Sequence, residues 1–267
     1  MGYSQSAMSQ MISSLEEETS LKLVNRFRTG AKLTLEGEEL YPQIEKLIYQ
    51  YRAVHERINE IKGLKTGTIR MGTLASISAH WLPGLLKEFQ EHYPEVEFVI
   101  HQGDYSSIYE WIKTGAVDFG FVNPEAVTGI ETIVLKEGVM LAVLPTDHPL
   151  GKKDVVPLAE LAKEPFILLE EGHYYEPLEA FKAIGASPVV KYTIHDDYAI
   201  MAMVEAGLGV SILAELVLYR TNYNIRLCTT EPKISKTIAI GYKDRASMPI
   251  ACKKFIELLR SHLQELP

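Results

Sequence analysis

The sequence predicts an α/β chain built in three parts. Three observations carry this reading: a polar-faced helical stub followed by a basic segment free of carboxylates, a seven-member apolar seam with a 3.5-residue period, and a long C-terminal stretch in which short apolar runs alternate with helical ones. At 267 residues and 46% apolar content, the chain is large enough for one small module and a core-forming domain.

The stub comes first. Residues Gly2 to Leu15 (GYSQSAMSQMISSL) read as a turn, an N-cap at Ser4 and a short helix whose polar face is Ser and Gln. Such side chains suit phosphate and base-edge contacts, and glutamine can read adenine through two hydrogen bonds. Segment 20–34 then carries Lys22, Arg26, Arg28 and Lys32 without a carboxylate, the local sign a phosphate backbone favours. A solvated surface loop has the same composition and is the alternative for that segment taken by itself. Between the two, Glu16, Glu17 and Glu18 are expected to form a solvated helix face. The net charge of -8 is concentrated beyond Arg70, where 17 basic residues face 26 acidic ones, against 10 and 9 up to and including it.

The middle part is a rod. Leu40, Ile44, Leu47, Tyr51, Val54, Ile58 and Ile61 recur at steps of four and three, which marks a seam that packs on a partner helix. Thr34 is placed to start this helix and Gly63 to end it, giving about 30 residues and roughly 45 Å. A helix lying on its own domain would show a wider apolar stripe.

After Gly67 the pattern predicts strands at 69–74, 96–101, 117–122 and 139–144 with helices near 79–93 and 106–114. A second set follows, with strands at 166–169, 189–194, 210–213 and 237–242, helices near 177–184 and 197–206, and a terminal helix over 249–263. Alternation of this kind implies parallel sheets with crossover helices, and two similar units imply a ligand cleft between lobes.

Other chemistries find little support in the residues. Cys228 and Cys252 have no metal-ligand spacing and are expected to be reduced and structural, and neither a metal nor a cofactor is expected. His195, Asp196 and Asp197 lie together without an elbow-motif serine or further ligands, so they are expected to cap a helix rather than catalyse. No run of about 18 apolar residues and no secretory signal is present, so no membrane partner and a cytoplasmic location are expected.

Several motifs occur in one order: SQSAMSQMISSLEEE, RFRTGAKLT, LEGEELYPQIEKLI, GAVDFGFV at 115–122, LPTDHPL at 144–150 and VEAGLGVSIL at 204–213. Together they resemble the LysR-type transcriptional regulators over the entire chain. The resemblance implies a partial winged helix-turn-helix over 1–33, a linker helix for dimerisation over 34–64, and a two-lobed effector-binding domain like the periplasmic binding proteins over 67–267. Lobe I would be 67–144 with 243–267, and lobe II 145–242. It implies no enzyme, but a ligand-responsive regulator whose partners are double-stranded operator DNA, a small-molecule effector and further copies of itself, as homodimer or homotetramer.

The resemblance also assigns residues. Gln5, Ser6, Ser9 and Gln10 would face the major groove, with Arg26, Arg28 and Lys32 on the wing. Ser76 and Ser78 open a helix after the strand 69–74, where free backbone N–H groups and hydroxyls either hold an anion or simply cap the helix. The resemblance makes Ser76 a pocket residue, with Tyr105, Asn123, His173 and Asp196 around the effector, the last two being equally readable as surface turn residues. Family members carry two further helices ahead of the position of Met1, and without them Met8, Met11, Ile12 and Leu15 are expected to lack part of their packing surface. The alternative reading is therefore a truncated module that binds solute without DNA.

Overall fold

A computed structural model of the chain describes residues 4–27, 30–61 and 67–267. Arg28 and Gly63, and the side chain of Ile61, lie outside the described residues. The chain divides into two compact units, 1–55 and 56–267.

The first unit opens with helix α1 (Gln5–Thr19), started by Ser4, whose Oγ accepts from Ala7 N at 3.3 Å, and ended by Ser20 in the left-handed region. Strands β1 (Val24–Phe27) and β2 (Gly30–Leu33) form an antiparallel hairpin with Val24 opposite Leu33. Helix α2 (Leu35–Ile61) follows at once, its first turn held by Thr34 Oγ1, which accepts from Gly37 N at 3.0 Å. Thr34 thus starts the rod as its sequence position predicts.

The second unit begins with β3 (Gly67–Thr73), α3 (Ala75–His80), α4 (Leu82–His92), β4 (Val96–Gln102), α5 (Tyr105–Thr114) and β5 (Phe119–Val122). The predicted helix over 79–93 is two helices that meet at Trp81, with Pro83 in the first turn of the second. Next come β6 (Glu131–Pro145), β7 (Val155–Pro157), α6 (Leu158–Leu161), β8 (Pro165–Leu169), α7 (Glu176–Ala183) and β9 (Val189–Ile194). The chain ends with α8 (Asp197–Glu205), β10 (Ser211–Ala214), α9 (Glu215–Leu218), β11 (Ile225–Glu231), β12 (Ile234–Tyr242) and α10 (Ile250–Ser261).

The main sheet runs β4-β3-β5-β12-β6-β11-β7, with β10 also on β6; β8 pairs with β9 separately. Strand β3 is parallel to β4 and β5, as a crossover topology requires, but β12 is antiparallel to both β5 and β6. The prediction of purely parallel sheets is corrected at this point. Two long antiparallel strands cross from one lobe to the other, so the lobes share a continuous ladder.

Packing shows where the crossing occurs. The first core is built around Trp81, Phe89, Phe119, Phe121 and Phe255 and includes Ile238, Ala239, Ile240 and Tyr242; the second includes Met140, Ala142, Leu144, Phe166, Phe181 and Ile234. The cores therefore part near Gly138 on β6 and near Ile238 on β12. The boundaries expected after 144 and 242 fall several residues inside the lobes. A strand that changes partner at midlength gives no sequence break there.

Candidate functional site

In the first unit, α1 and the hairpin are joined by polar contacts. Arg26 Nη1 donates to Ser9 Oγ, and its Nη2 donates to Ser9 O and Ser13 Oγ, each at 3.1 Å. Glu16 Oε1 accepts from Leu23 N at 2.8 Å and Val24 N at 3.0 Å, and these two bonds hold its carboxyl below the usual range. Glu16 is thus an anchor, not the purely solvated position expected from the run of three glutamates. Arg26, expected on the wing, has its guanidinium against α1, where it takes up the Ser9 hydroxyl. Ser6, Ser9 and Gln10 share a shallow hollow on α1, and Gln5 lies with Arg26 and Phe27 in another. Lys32 is exposed on β2. Met8 and Met11 are about half exposed, and α1 contains no buried residue.

Along α2, Leu47 is 71% exposed, and Tyr51, Val54 and Ile58 are exposed as well, while Leu40 and Ile44 are half-buried. An apolar seam open to solvent over this length asks for a partner.

In the second unit, a cavity of about 200 Å³ lies between the lobes. Leu74, Ala75, Ser76 and Gln102 line it from the first lobe, and Leu169, Glu171, His195 and Asp197 from the second, with Lys236 at its floor. Of the residues predicted to surround an effector, Ser76 lines this cavity. The others sit behind or beside it. Ser78 Oγ points to Thr73 Oγ1 at 3.4 Å. Tyr105 is fully buried, with its hydroxyl donating to Glu176 Oε1 at 2.7 Å and its ring 5.0 Å from Lys236 Nζ. Asn123 Nδ2 donates to the same Glu176 oxygen at 2.9 Å, while its Oδ1 accepts from Glu125 N. His173 bonds to Ser106 and to Ala126 O. Asp196 caps α8, accepting from Ala199 N at 2.8 Å, as expected, whereas Asp197, expected to cap with it, lines the cavity instead.

The group that sequence reasoning missed is Lys236. It is buried on β12, between Ile234 and Ile238 on the same strand face, and its Nζ lies 2.5 Å from Glu171 Oε1 and 3.8 Å from Glu176 Oε1. A lysine at an inward position of an alternating strand was the available signal. The strand predicted from 237 began one residue too late to include it.

Burial dominates the titration of this cluster. It lifts Glu171 to about 7 against the opposing pull of Lys236, and Asp197 to about 6. Lys236 loses to burial but gains more from Glu171, Tyr105 and Glu176, so its pKa is raised well above the ordinary value. Burial also lifts Tyr105 far above the usual phenol range. Among the described residues, Glu176 Oε2 and Asp197 Oδ1 are buried without a hydrogen-bond partner.

Comparison with known families decides the identity. Residues 62–264 match the LysR substrate binding domain, and residues 1–38 match the bacterial regulatory helix-turn-helix of the lysR family. The chain belongs to the LysR family. Its members are transcriptional regulators, not enzymes. This LysR regulator is 30% identical over 263 residues to the uncharacterized HTH-type transcriptional regulator YvbU of Bacillus subtilis, covering 97% of this chain and 90% of that one. It is 28% identical over 267 residues to the transcriptional dual regulator GltC of the same organism, covering 98% and 89%. Among solved structures, a full-length OxyR variant from Pseudomonas aeruginosa has a TM-score of 0.73 at 23% identity, covering 99% of this chain and 89% of the other. Full-length BenM has a TM-score of 0.66 at 21% identity, covering 98% and 89%. The two likenesses show the same fold, an N-terminal helix-turn-helix and a two-lobed α/β domain. No described helix is long and apolar enough to cross a membrane.

Proposed function

We propose that this LysR regulator reads an operator duplex with Gln5, Ser6 and Gln10 of α1, assisted at the wing by Lys32 and Arg28, and that a small molecule held between the lobes controls it. The observation that carries the effector half is the cavity itself, lined from both lobes by ionisable and hydroxyl groups. A ligand there touches two bodies at once, so its affinity depends on how they are set, which is the differential affinity that coupling requires. The DNA half is supported by a Ser- and Gln-rich helix face beside a hairpin without carboxylates.

Self-association goes through the α2 seam of Leu40, Ile44, Leu47, Tyr51, Val54, Ile58 and Ile61, as homodimer or homotetramer. The protein acts in the cytoplasm, where its duplex partner is found. A mobility-shift titration of the full chain against operator and random duplex tests the DNA half. We expect a sequence preference that persists as salt rises; equal affinity for random duplex at every salt concentration removes the claim. Light scattering with Leu47→Asp and Val54→Asp tests the seam, with loss of the oligomer expected.

A further inference from the structure

We propose that the effector carries an alkylammonium group, seated against Asp197 and Glu171 on one lobe with its stem directed toward Ser76 on the other. The inference rests on the cleft being the effector site and adds the chemical class that the cleft takes.

Charge supplies the first argument. Three carboxylates, Glu171, Glu176 and Asp197, surround a single ammonium, that of Lys236. Lys236 is already engaged, with Glu171 at 2.5 Å, Glu176 at 3.8 Å and the Tyr105 ring at 5.0 Å. An anion entering the cleft would have to win this lysine from two carboxylates and would stand beside a third. The rim adds Asp104 from the first lobe and Glu170 from the second, and the imidazole of His195 on the lining lies 3.2 Å from Glu170.

An unsatisfied acceptor supplies the second, independent argument. Asp197, on the cavity wall, has a buried Oδ1 without a hydrogen-bond partner among the described residues. Glu176 lies behind that wall and contributes its charge next to Lys236 rather than a contact to the ligand. Buried carboxylate oxygens are normally paired, and an ionised carboxylate only accepts. An ammonium brings three donors and a compensating charge, so it satisfies the wall in both respects. Leu74, Leu169 and Val217 line the remainder and suit a short aliphatic stem, and a volume of about 200 Å³ limits the ligand to a small one.

The test uses the full chain and four-carbon probes that differ only in their end groups: 1,4-diaminobutane, 1,4-butanediol and butanedioate, with lysine as an amine on an amino-acid frame. Thermal shift and calorimetric titration are read for wild type, Asp197→Asn and Ser76→Trp. We expect an amine to bind and raise Tm, the diol and the dicarboxylate to do neither, and Asp197→Asn to weaken the amine at least about tenfold. Failure of both amines to bind, or a diol that binds as well, overturns the proposal without recourse to any variant. Butanedioate binding that Ser76→Trp abolishes overturns the charge class while leaving the cleft as the effector site. Amine binding that Ser76→Trp leaves untouched places the ligand elsewhere, and the cleft reading falls with the proposal.

Discussion

His173 Nδ1 lies 2.6 Å from Ser106 Oγ, and this contact ties the loop after β8 to the first turn of α5. The ring's other nitrogen, Nε2, lies 2.7 Å from Ala126 O, and His173 N donates to Ser106 Oγ at 3.1 Å. A carbonyl only accepts, so Nε2 carries the proton and Nδ1 accepts from the serine hydroxyl. Gly172 next to it has φ +93, and a Cβ there would stand 2.2 Å from Ser106 Oγ. The loop is therefore latched across the two lobes beside the cavity. We expect His173→Ala to remove both ring bonds and cost about 1–3 kcal/mol, with faster amide exchange over 170–175. Gly172→Ala should cost a similar amount, because the added methyl meets Ser106 and the positive φ is unfavourable to it. Unchanged exchange in His173→Ala would show that the latch bears no load.

Gly37 offers a case where local propensity and packing give opposite signs. In a helix, alanine is ordinarily more favourable than glycine by roughly 0.5–1 kcal/mol. Here a Cβ at position 37 would stand 2.2 Å from Leu23 O, which already accepts from Thr34 N at 3.0 Å. The start of α2 is pressed against the chain entering β1, and neither backbone can give way freely. Gly37→Ala is expected to destabilise the first unit by about 1–3 kcal/mol and to weaken duplex binding, as read by melting and mobility shift. A stabilised variant would mean that the close approach is not maintained in solution.

These contacts show which parts of the structure the sequence made legible. The 3.5-residue seam, the Ser4 and Thr34 caps and the period-two strands were readable because each is written within a few neighbouring residues. Ser76, which lines the cavity, was legible as a candidate because it follows a strand and opens a helix. Glu171, Asp197 and Lys236 were not, because their meaning comes from meeting across β8, α8 and β12, elements far apart in the chain. The run Glu16 to Glu18 illustrates the same limit on a smaller scale. Three glutamates in sequence look alike, and only the path of the hairpin selects Glu16 as the one that accepts from Leu23 and Val24.

The raised carboxyls set the direction of pH dependence. Glu171 goes from 4.5 to about 7 and Asp197 from 3.8 to about 6, chiefly through burial. A carboxyl whose pKa is raised on folding binds more protons in the native state, so stability falls as pH increases between the two values. Its contribution is complete below about pH 4, is lost through pH 6 to 7 and changes no further above that. Glu16, whose pKa is lowered, works in the opposite sense: its contribution is lost only as pH falls below the usual carboxyl range. Melting temperatures of wild type and of Glu171→Gln between pH 5 and 8 check this. The difference between the two curves should shift against wild type as pH rises; parallel curves would show that Glu171 titrates as an ordinary surface acid. An ammonium ligand should bind more tightly over the same range, because each wall carboxyl that ionises adds attraction.

Lys32 and Arg26 are both cations of the hairpin, yet their surroundings assign them different work. Lys32 is exposed on β2, so its replacement by alanine should remove one phosphate contact, weaken all duplexes alike and reduce the salt slope by about 1. Arg26 has its guanidinium against Ser9 and Ser13 of α1. Arg26→Ala should therefore loosen the hairpin from the helix and lower the melting temperature of the module, with a smaller change in slope than Lys32→Ala. Gln10→Ala, by contrast, should relax preference at one base position by about 1–3 kcal/mol and leave the slope unchanged. Salt titrations of the three variants separate these effects. If Arg26→Ala cuts the slope by a full unit and leaves the melting temperature where it was, the arginine is a phosphate contact and the brace to α1 has no part in holding the reading head.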